Sequence, residues 1–320
     1  MVVKTTQDMP TSLVPHDSLR KAWEFLHAVH KLHQRASGKR ALLLYGGSGE
    51  GKTFTVKQYL SLFPTIKTTE VLKAPVFYCR LDESKKTPDD LLCILILALG
   101  QTPPKGKPRA GVLLHQFKTL VREKCIELFI IDEIQQVLPK TDGQRALEML
   151  KFLCALIDAE DLQTSFVFVG STRAMHLLAF GACENTVDDN EQLSRRMLRP
   201  VKLDRIEPRS PQWIRVTNYF VQKIGFRELV VPDDKELFDR IYLAYTERAF
   251  STLEDLFLDE ERPNYIEDTP QLLAYLSERF LLTSKRAINP FDTEQMDADE
   301  VDEAMQCVKQ DYFKQLEAED

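Results

Sequence analysis

The sequence lacks any apolar run long enough to cross a membrane. The apolar run over residues 91–99 has nine residues, whereas a membrane-spanning helix needs about 20, so we interpret it as a buried helix. Residues 1–8 are polar and lack the apolar core of a secretory signal. These two absences predict a cytoplasmic protein that has no membrane partner.

A cysteine spacing typical of metal binding is also missing. None of the six cysteines stands in a C-x-x-C pattern, and four of them lie in apolar runs. We therefore expect buried thiols in a reducing compartment rather than disulfides or a thiolate zinc site. The six residues are Cys79, Cys93, Cys125, Cys154, Cys183 and Cys307.

The chain has no excess of positive charge, which at first argues against a nucleic-acid partner. Its formal net charge is −7 at pH 7. Residues 292–320, however, contain eleven acidic residues and only two lysines, so the rest of the chain is close to neutral. Local basic patches are compatible with such a chain, and the acidic total therefore does not exclude DNA binding.

The first motif is glycine-rich and follows an apolar run. Residues 41–45 lead into GGSGEGKT over residues 46–53, which fits the P-loop pattern G-x-x-x-x-G-K-[ST] between a strand and a helix. Glycines let the backbone turn around phosphate oxygens, and amides at a helix N-terminus bind anions. The predicted nucleotide-binding residues are Gly46, Gly47, Ser48, Gly49, Glu50, Gly51, Lys52, Thr53 and Phe54.

Two side chains of the P-loop have distinct predicted roles. Lys52 is expected to reach the β- and γ-phosphates and so to take part in catalysis, and the Thr53 hydroxyl is expected to ligate Mg²⁺. The predicted cofactors are therefore ATP and Mg²⁺. The alternative is a chance glycine-rich turn, which the complete motif disfavours.

A second motif ends the apolar strand over residues 127–131. Asp132 is predicted to hold Mg²⁺ and Glu133 to polarise the attacking water. The motif follows the P-loop by about eighty residues, and the strand-like run 75–80 lies between them in the chain. We predict that this intervening strand separates the Asp132 strand from the P-loop strand in the sheet, as in AAA+ and related glutamate-using ATPases.

Ser171 follows a third apolar strand, over residues 165–170. A polar side chain between the two motif-bearing strands can bind the γ-phosphate or position water, which is the sensor-1 role. Ser171 or Thr172 can equally cap a helix predicted over residues 175–180. Both roles stay open at this point.

A proline-rich loop carries exposed positive charge. Residues 101–109 include Lys105, Lys107 and Arg109 and no acidic residue, and the prolines and glycine exclude regular secondary structure. Solvated surface and contact with DNA phosphates are both compatible with this composition.

The order of these motifs resembles one known family. The P-loop, the Ile-Asp-Glu strand end, the Val-Gly-Ser strand end and the Gln-Leu-Ser-Arg-Arg segment over residues 192–196 are similar to those of the TnsC/TniB family. Members of this family are AAA+ regulators of Tn-type DNA transposition, including that of CRISPR-associated transposons. The resemblance covers roughly residues 15–206 and implies a P-loop AAA+ fold, a five-stranded parallel sheet between helices that is followed by a helical lid.

The resemblance also implies partners and site residues. Relatives form hexameric rings or helical filaments around double-stranded DNA, link a target selector to the transposase, and disassemble upon ATP hydrolysis. In AAA+ proteins an arginine before the last strand reaches the ATP of the neighbouring subunit. Arg195 is the first candidate for this arginine and Arg196 the second. The candidate DNA contacts by position are Lys105, Lys107 and Arg109, followed by Lys85 and Lys86.

The resemblance thins after Arg205. We predict an N-terminal arm and helix over residues 1–40, the AAA+ domain over 41–206, a helical lid over 207–290, and an acidic C-terminal helix or tail over 291–320. Residues 266–271, where a sensor-2 arginine is expected, contain no arginine. Arg279 and Arg286 are alternatives, and slow hydrolysis is expected if neither has this role.

Three histidines stand three residues apart in a helix predicted from Asp17 or Ser18 to about Gln34. The spacing of His27, His30 and His33 is compatible with metal ligands on one helix face. Since no cysteine or carboxylate joins them at ligand spacing, we interpret them as part of a solvated polar face.

Two other functions are compatible with the sequence. The first is an AAA+ or STAND-like switch that acts on protein partners without DNA, which DNA-stimulated ATP hydrolysis and ATP-dependent duplex binding distinguish from a DNA-binding regulator. The second is an origin-initiator-like ATPase, which predicts a C-terminal winged helix. We disfavour it because the lid takes up most of the residues after the last strand.

Overall fold

The computed structural model describes residues 14–34, 40–67, 72–82, 87–106, 110–138, 143–179, 193–258 and 263–319. These residues form two compact units. The unit that we call the sheet unit consists of the described residues within Lys21–Gly47 and Lys52–Leu203. The other, the helical unit, consists of those within Met1–Arg20, Ser48–Gly51 and Asp204–Asp320. The domain boundaries drawn from the sequence stay predictions.

A five-stranded parallel sheet forms the centre of the sheet unit. Its strands are β1 (Ala41–Gly46), β4 (Val76–Arg80), β5 (Leu128–Asp132), β6 (Ser165–Gly170) and β7 (Val201–Leu203), in the order β4-β5-β6-β1-β7. A separate antiparallel hairpin consists of β2 (Ile66–Lys67) and β3 (Leu72–Lys73). β1, β5 and β6 are almost continuously apolar and buried, as expected for parallel strands covered on both faces.

The predicted parallel sheet is confirmed, and β6, which Ser171 follows, lies between the two motif-bearing strands as expected, but β4 does not. β4, which lies between them in the chain, is at the edge of the sheet and pairs with β5. β6 instead pairs with β1 on one side and with β5 on the other. The prediction fails because helical crossovers allow parallel strands to take a spatial order that differs from their chain order.

Helices flank this sheet. They are α1 (Asp17–His30), of which the residues from Lys21 onward belong to the sheet unit, α2 (Lys52–Ser61), α3 (Pro88–Ala98), α4 (Ala110–Glu123), α5 (Gly143–Ile157) and α6 (His176–Ala179). The run predicted to be a buried helix is α3, which begins where the Thr87 side chain accepts the N–H of Asp90 at 3.2 Å. Buried side chains of α3, α4, α5 and the strands form one continuous apolar core.

The helical unit consists mainly of five helices that follow β7. They are α7 (Pro211–Lys223), α8 (Lys235–Arg248), α9 (Phe250–Phe257), α10 (Thr269–Thr283) and α11 (Ala298–Glu319). α11 contains much of the acidic end of the chain, and it packs within the unit through buried Val301 and Met305. Asp302 of α11 forms ion pairs with Arg209 at 2.5 Å and with Lys235 at 2.8 Å.

The histidines are arranged differently from the sequence interpretation. α1 ends at His30 rather than near Gln34, and the His30 side chain is buried. Its Nε2 lies 3.2 Å from Oε2 of Glu127, a residue 97 positions away. The solvated-face interpretation is therefore wrong for His30, because the carboxylate partner comes from a distant segment that sequence spacing does not reveal.

The described cysteines differ in exposure. Cys79 and Cys154 are buried, but Cys125 and Cys307 are exposed. Burial is therefore wrong as an expectation for these two, since Cys125 lies in the turn after α4 at φ +50° and Cys307 lies on the acidic helix α11. Among the described helices, none has both the length and the apolar character that a membrane span requires.

Candidate nucleotide site

Three strands of the sheet place the predicted motif residues together at their carboxyl ends. β1 ends at Gly46, β5 at Asp132 and β6 at Gly170, and because the strands are parallel these ends lie side by side. Ligands in open α/β sheets bind outside the carboxyl ends of the strands. The arrangement therefore brings the start of α2, the end of β5 and the residues after β6 to one place.

Lys52 and Thr53 occupy the first turn of α2. The Lys52 ammonium group donates to the carbonyl oxygens of Gly46, at 2.9 Å, and Gly47. The Thr53 hydroxyl lies 3.5 Å from Oδ2 of Asp132. A hydroxyl and a carboxylate at this distance are the oxygen ligands that a hydrated Mg²⁺ prefers, so the residues present fit the metal of a nucleotide complex.

Tyr78 of β4 holds the Asp132 carboxylate in place. Its hydroxyl donates to Oδ2 of Asp132 at 2.7 Å. Burial raises the pKa of Tyr78, and the hydrogen bond to Asp132 raises it further, so the phenol remains a donor. The sequence does not reveal this residue, because its position depends on the pairing of β4 with β5.

Glu133 adopts a backbone conformation that is uncommon for a side chain of its size. Its φ is +59°, in the left-handed region, and a 3-10 helix (Ile134–Val137) follows it. The Glu133 N–H donates to Oδ1 of Asp132 at 2.8 Å, and Oε1 of Glu133 lies 3.6 Å from Nη2 of Arg80. Strained backbone of this kind concentrates at functional sites, where surrounding contacts maintain it.

Gln135 connects Glu133 to the end of β6. Its Nε2 donates to Oε2 of Glu133, and its Oε1 accepts the N–H of Ser171 at 3.1 Å. Sequence reasoning missed Gln135 and Arg80, since neither belongs to a recognised motif. The one signal for Gln135 was its place two residues after the catalytic glutamate candidate.

Gly170 allows this connection to form. A Cβ at Gly170 would lie 2.4 Å from Oε1 of Gln135 and 2.7 Å from Cβ of Ala174. Ser171, the next residue, precedes a 3-10 helix (Thr172–Met175) without a side-chain capping hydrogen bond. The geometry thus gives no support to a capping role for Ser171, whereas its backbone is part of the network around Glu133.

The remaining P-loop residues, Ser48–Gly51, belong to the helical unit. Gly49 has φ +79°, and a Cβ there would lie 2.5 Å from the carbonyl oxygen of Arg248. The carbonyl of Gly49 also accepts the N–H of Phe250 at 2.9 Å, and Glu50 pairs with Arg205 at 3.7 Å. This position therefore requires glycine for its packing as well as for the turn.

The two candidate arginine fingers differ in their surroundings. Arg195 is exposed. The Nε of Arg196 donates to Oδ2 of Asp158 at 2.6 Å, and this hydrogen bond raises the pKa of Arg196. Arg196 is thus engaged within its own chain.

The remaining candidates are placed as follows. Phe54 is buried in α2. Lys105 is exposed in the loop before α4. The other candidate DNA contacts lie outside the described residues, namely Lys107, Arg109, Lys85 and Lys86. Arg279 donates to the carbonyl of Asp255, and Arg286 to that of Leu243 and to Oγ1 of Thr246. Both sensor-2 alternatives are therefore hydrogen-bonded within the helical unit.

Part of the chain, including the P-loop, matches the model of a known family. Residues 34–178 match the family model described as an AAA domain. The five-stranded parallel sheet with flanking helices is thus an AAA+ P-loop ATPase fold.

Comparisons with individual proteins give structural matches only. No curated protein matches the sequence. The ORC1 protein of Aeropyrum pernix, solved in complex with DNA, is 18% identical with a TM-score of 0.46 over 84% of this chain and 68% of that one. Cdc6p of Pyrobaculum aerophilum is 12% identical with a TM-score of 0.45, over 94% of this chain and 97% of that one. A Walker-type ATPase of Pyrococcus abyssi is 13% identical with a TM-score of 0.48, over 86% of this chain and 75% of that one.

Proposed function

We propose that this protein is an ATP-dependent, DNA-binding AAA+ regulator of DNA transposition. In its ATP-bound form it assembles on double-stranded target DNA as a homo-oligomer, a ring or a filament, and links a target selector to the transposase. The assembly then disassembles upon ATP hydrolysis. The family resemblance of the motifs supports the biological role, and the site geometry supports the ATP-dependent switch.

The observation that carries the proposal is that the predicted ATPase residues lie together at the carboxyl ends of the sheet strands. Lys52 and Thr53 begin α2 beside Asp132, and Glu133 is fixed next to them by Arg80 and Gln135. Bound Mg²⁺ neutralises phosphate charge during phosphoryl transfer. Thr53 and Asp132 would hold this ion, Lys52 would bind the β- and γ-phosphates, and Glu133 would accept a proton from the attacking water.

Two exposed features support assembly on DNA. Lys105 lies in a loop without acidic residues, and this loop is attached to α4 where Nε2 of Gln116 donates to the carbonyl of Thr102 at 3.2 Å. Arg195 is exposed just before β7, where an arginine can complete the ATP site of a neighbouring subunit. ATP would then bridge two subunits, and hydrolysis would remove the bridge.

Replacement of Glu133 by Gln tests the proposal directly. The variant retains the shape of the side chain but loses the base, so we expect ATP binding without turnover and a long-lived assembly on duplex DNA. The measurement is duplex binding by fluorescence anisotropy with ATP and with ADP. Normal turnover by Glu133→Gln would remove Glu133 from the catalytic role, and equal DNA binding with both nucleotides would remove the switch.

The second candidate is a switch that acts on protein partners only. It predicts the same ATPase residues but gives loop 101–109 no role in binding. ATP hydrolysis that duplex DNA does not stimulate, together with no ATP-dependent duplex binding, would favour this alternative.

A further inference from the structure

We propose that His30, His33 and Glu127 form a binding site for a divalent transition-metal ion of the Zn²⁺ class. The site would lie in the sheet unit, where Glu127 immediately precedes β5. Asp132 ends the same strand, so this site is at the opposite end of β5 from the candidate nucleotide site. The proposal is independent of nucleotide and DNA binding.

The three side chains converge at distances that suit metal coordination. One ligand atom of each residue lies within 4.8 Å of the other two. The Nε2 of His30 is 3.2 Å from Oε2 of Glu127, and the Nε2 of His33 is 3.9 Å from the same oxygen. Tetrahedral zinc with bonds of about 2.0–2.1 Å places its ligand atoms about 3.3 Å apart. The first distance already meets this value, and the second would meet it after a movement of about half an ångström by the His33 side chain. The third pair of ligand atoms lies within 4.8 Å, so binding would also draw the two imidazole rings together.

Hydrogen bonds orient both imidazole rings. The Nδ1 of His33 lies 2.7 Å from the carbonyl oxygen of His30. Since a carbonyl only accepts, Nδ1 carries a proton, and in the neutral form of the ring Nε2 has the lone pair that a metal requires. The Nδ1 of His30 lies 2.8 Å from the Tyr59 hydroxyl, whose oxygen can accept a hydrogen bond from the Nδ1–H group while Nε2 binds a metal. Such outer hydrogen bonds are typical of metal-ligating histidines.

The backbone of the carboxylate ligand is also held in place. The backbone N–H of Glu127 donates to the carbonyl of Pro75, and the carbonyl of Glu127 accepts the N–H of Ser165, both at 2.9 Å. The Glu127 carboxylate also lies within hydrogen-bond distance of the His30 ring. The charge of Lys73 also acts on the Glu127 carboxylate. Lys73 itself is exposed to solvent.

The alternative is an ion pair between His30 and Glu127 that needs no metal. In that case a proton occupies the space between Nε2 and Oε2, whereas in the proposed site a metal ion takes its place and the proton passes to solvent. A fourth coordination position is accessible, because His33 and Glu127 border an open cleft that Cys125 also lines. Water can therefore complete a tetrahedral set, as in zinc sites with three protein ligands.

Zinc titration of the untagged full-length chain tests the site. The protein is freed of metal with a chelator, and binding is measured by calorimetry without nucleotide. We expect one Zn²⁺ per chain and, at about 100-fold excess over the dissociation constant, a rise in melting temperature of roughly 5 °C. Absence of zinc uptake at about 100 μM, with an unchanged melting temperature, would overturn the proposal.

Matched variants assign the ligands. His33→Gln and Glu127→Gln are each expected to weaken zinc binding by about 100-fold or more, since changes to outer partners alone cost about 10- to 100-fold. His27→Ala is the control, because His27 belongs to the same helix as His30 but not to the cluster. The melting temperature of each metal-free variant shows whether it folds. Equal losses in His27→Ala and His33→Gln, or loss of binding in Cys125→Ser, would contradict the proposed ligand set.

Discussion

At the scale of single residues, Gln135 is the side chain on which the position of Glu133 depends most directly. It bridges Oε2 of Glu133 and the N–H of Ser171. Because a displacement of about 1 Å from the reacting geometry can cost about 100-fold in rate, we expect Gln135→Ala to lower the rate constant kcat of ATP hydrolysis by roughly 10- to 100-fold. The affinity for ATP should change little, since Lys52 and Thr53 keep their places at the start of α2.

The neighbouring Gln136→Ala provides the control for this prediction. Gln136 belongs to the same 3-10 helix and carries the same side chain, but it is the amide of Gln135 that bonds to the Glu133 carboxylate. Its replacement should therefore leave kcat within a few-fold. Steady-state kinetics give kcat, and equilibrium titration with a fluorescent ATP analogue gives affinity. If Gln135→Ala hydrolyses ATP at the normal rate, Gln135 does not position Glu133.

At the scale of secondary-structure elements, the end of β6 depends on a glycine. A Cβ at Gly170 would meet both Gln135 and Ala174, so Gly170→Ala is expected to destabilise the fold by about 1–3 kcal/mol and to slow hydrolysis. Gly111→Ala in α4 is the matched control, because a Cβ there meets nothing within 4 Å and alanine favours helix. Urea unfolding of both variants is the measurement, and equal stability would show that the β6 end tolerates a side chain.

The basic loop before α4 gives a second prediction at this scale. Replacement of Lys105, Lys107 and Arg109 by Ala should weaken binding to all duplex sequences alike and reduce the slope of the salt dependence by about one for each phosphate that is no longer neutralised. Phosphate contacts carry no sequence information. The control is Lys118→Ala, since Lys118 already pairs with Asp161 at 2.7 Å. Unchanged affinity in the triple variant would place the DNA surface elsewhere.

The elements and motifs were largely predictable from sequence because each has a local signal. The P-loop glycines and the continuous apolar runs of β1, β5 and β6 indicated the fold class, and the polar residues after those strands indicated the candidate site. The edge position of β4 and the contact between His30 and Glu127 were not predictable. Both depend on which segments pair across long sequence separations, and spacing along the chain does not encode this.

Side-chain networks were unpredictable for a related reason. Tyr78 reaches Asp132 only through the register of β4 against β5, and Gln135 reaches Ser171 only because β6 lies next to β5. α11 shows the same limit. Its acidic composition suggested a helix or tail but gave no sign of what it packs against, whereas Val301 and Met305 are buried and Asp302 pairs with Arg209 and Lys235.

At the scale of the whole molecule, the proposed ATP site is shared between subunits. Arg195→Ala should abolish hydrolysis while each chain still binds ATP, because the P-loop is unchanged. Arg196→Ala should retain hydrolysis, since Arg196 pairs with Asp158 of its own chain. A mixture of Arg195→Ala with Lys52→Ala should regain activity, as some interfaces then combine an intact P-loop with an intact arginine. Full activity of Arg195→Ala alone would contradict a role for this arginine.

The most direct test of the central claim is the rate of ATP hydrolysis per subunit, measured across protein concentrations with and without duplex DNA. A composite site that assembles on DNA predicts a low rate at low concentration, a higher rate as subunits associate, and stimulation by duplex DNA at concentrations where the free protein is inactive. A rate per subunit that is independent of both protein concentration and DNA would contradict the account.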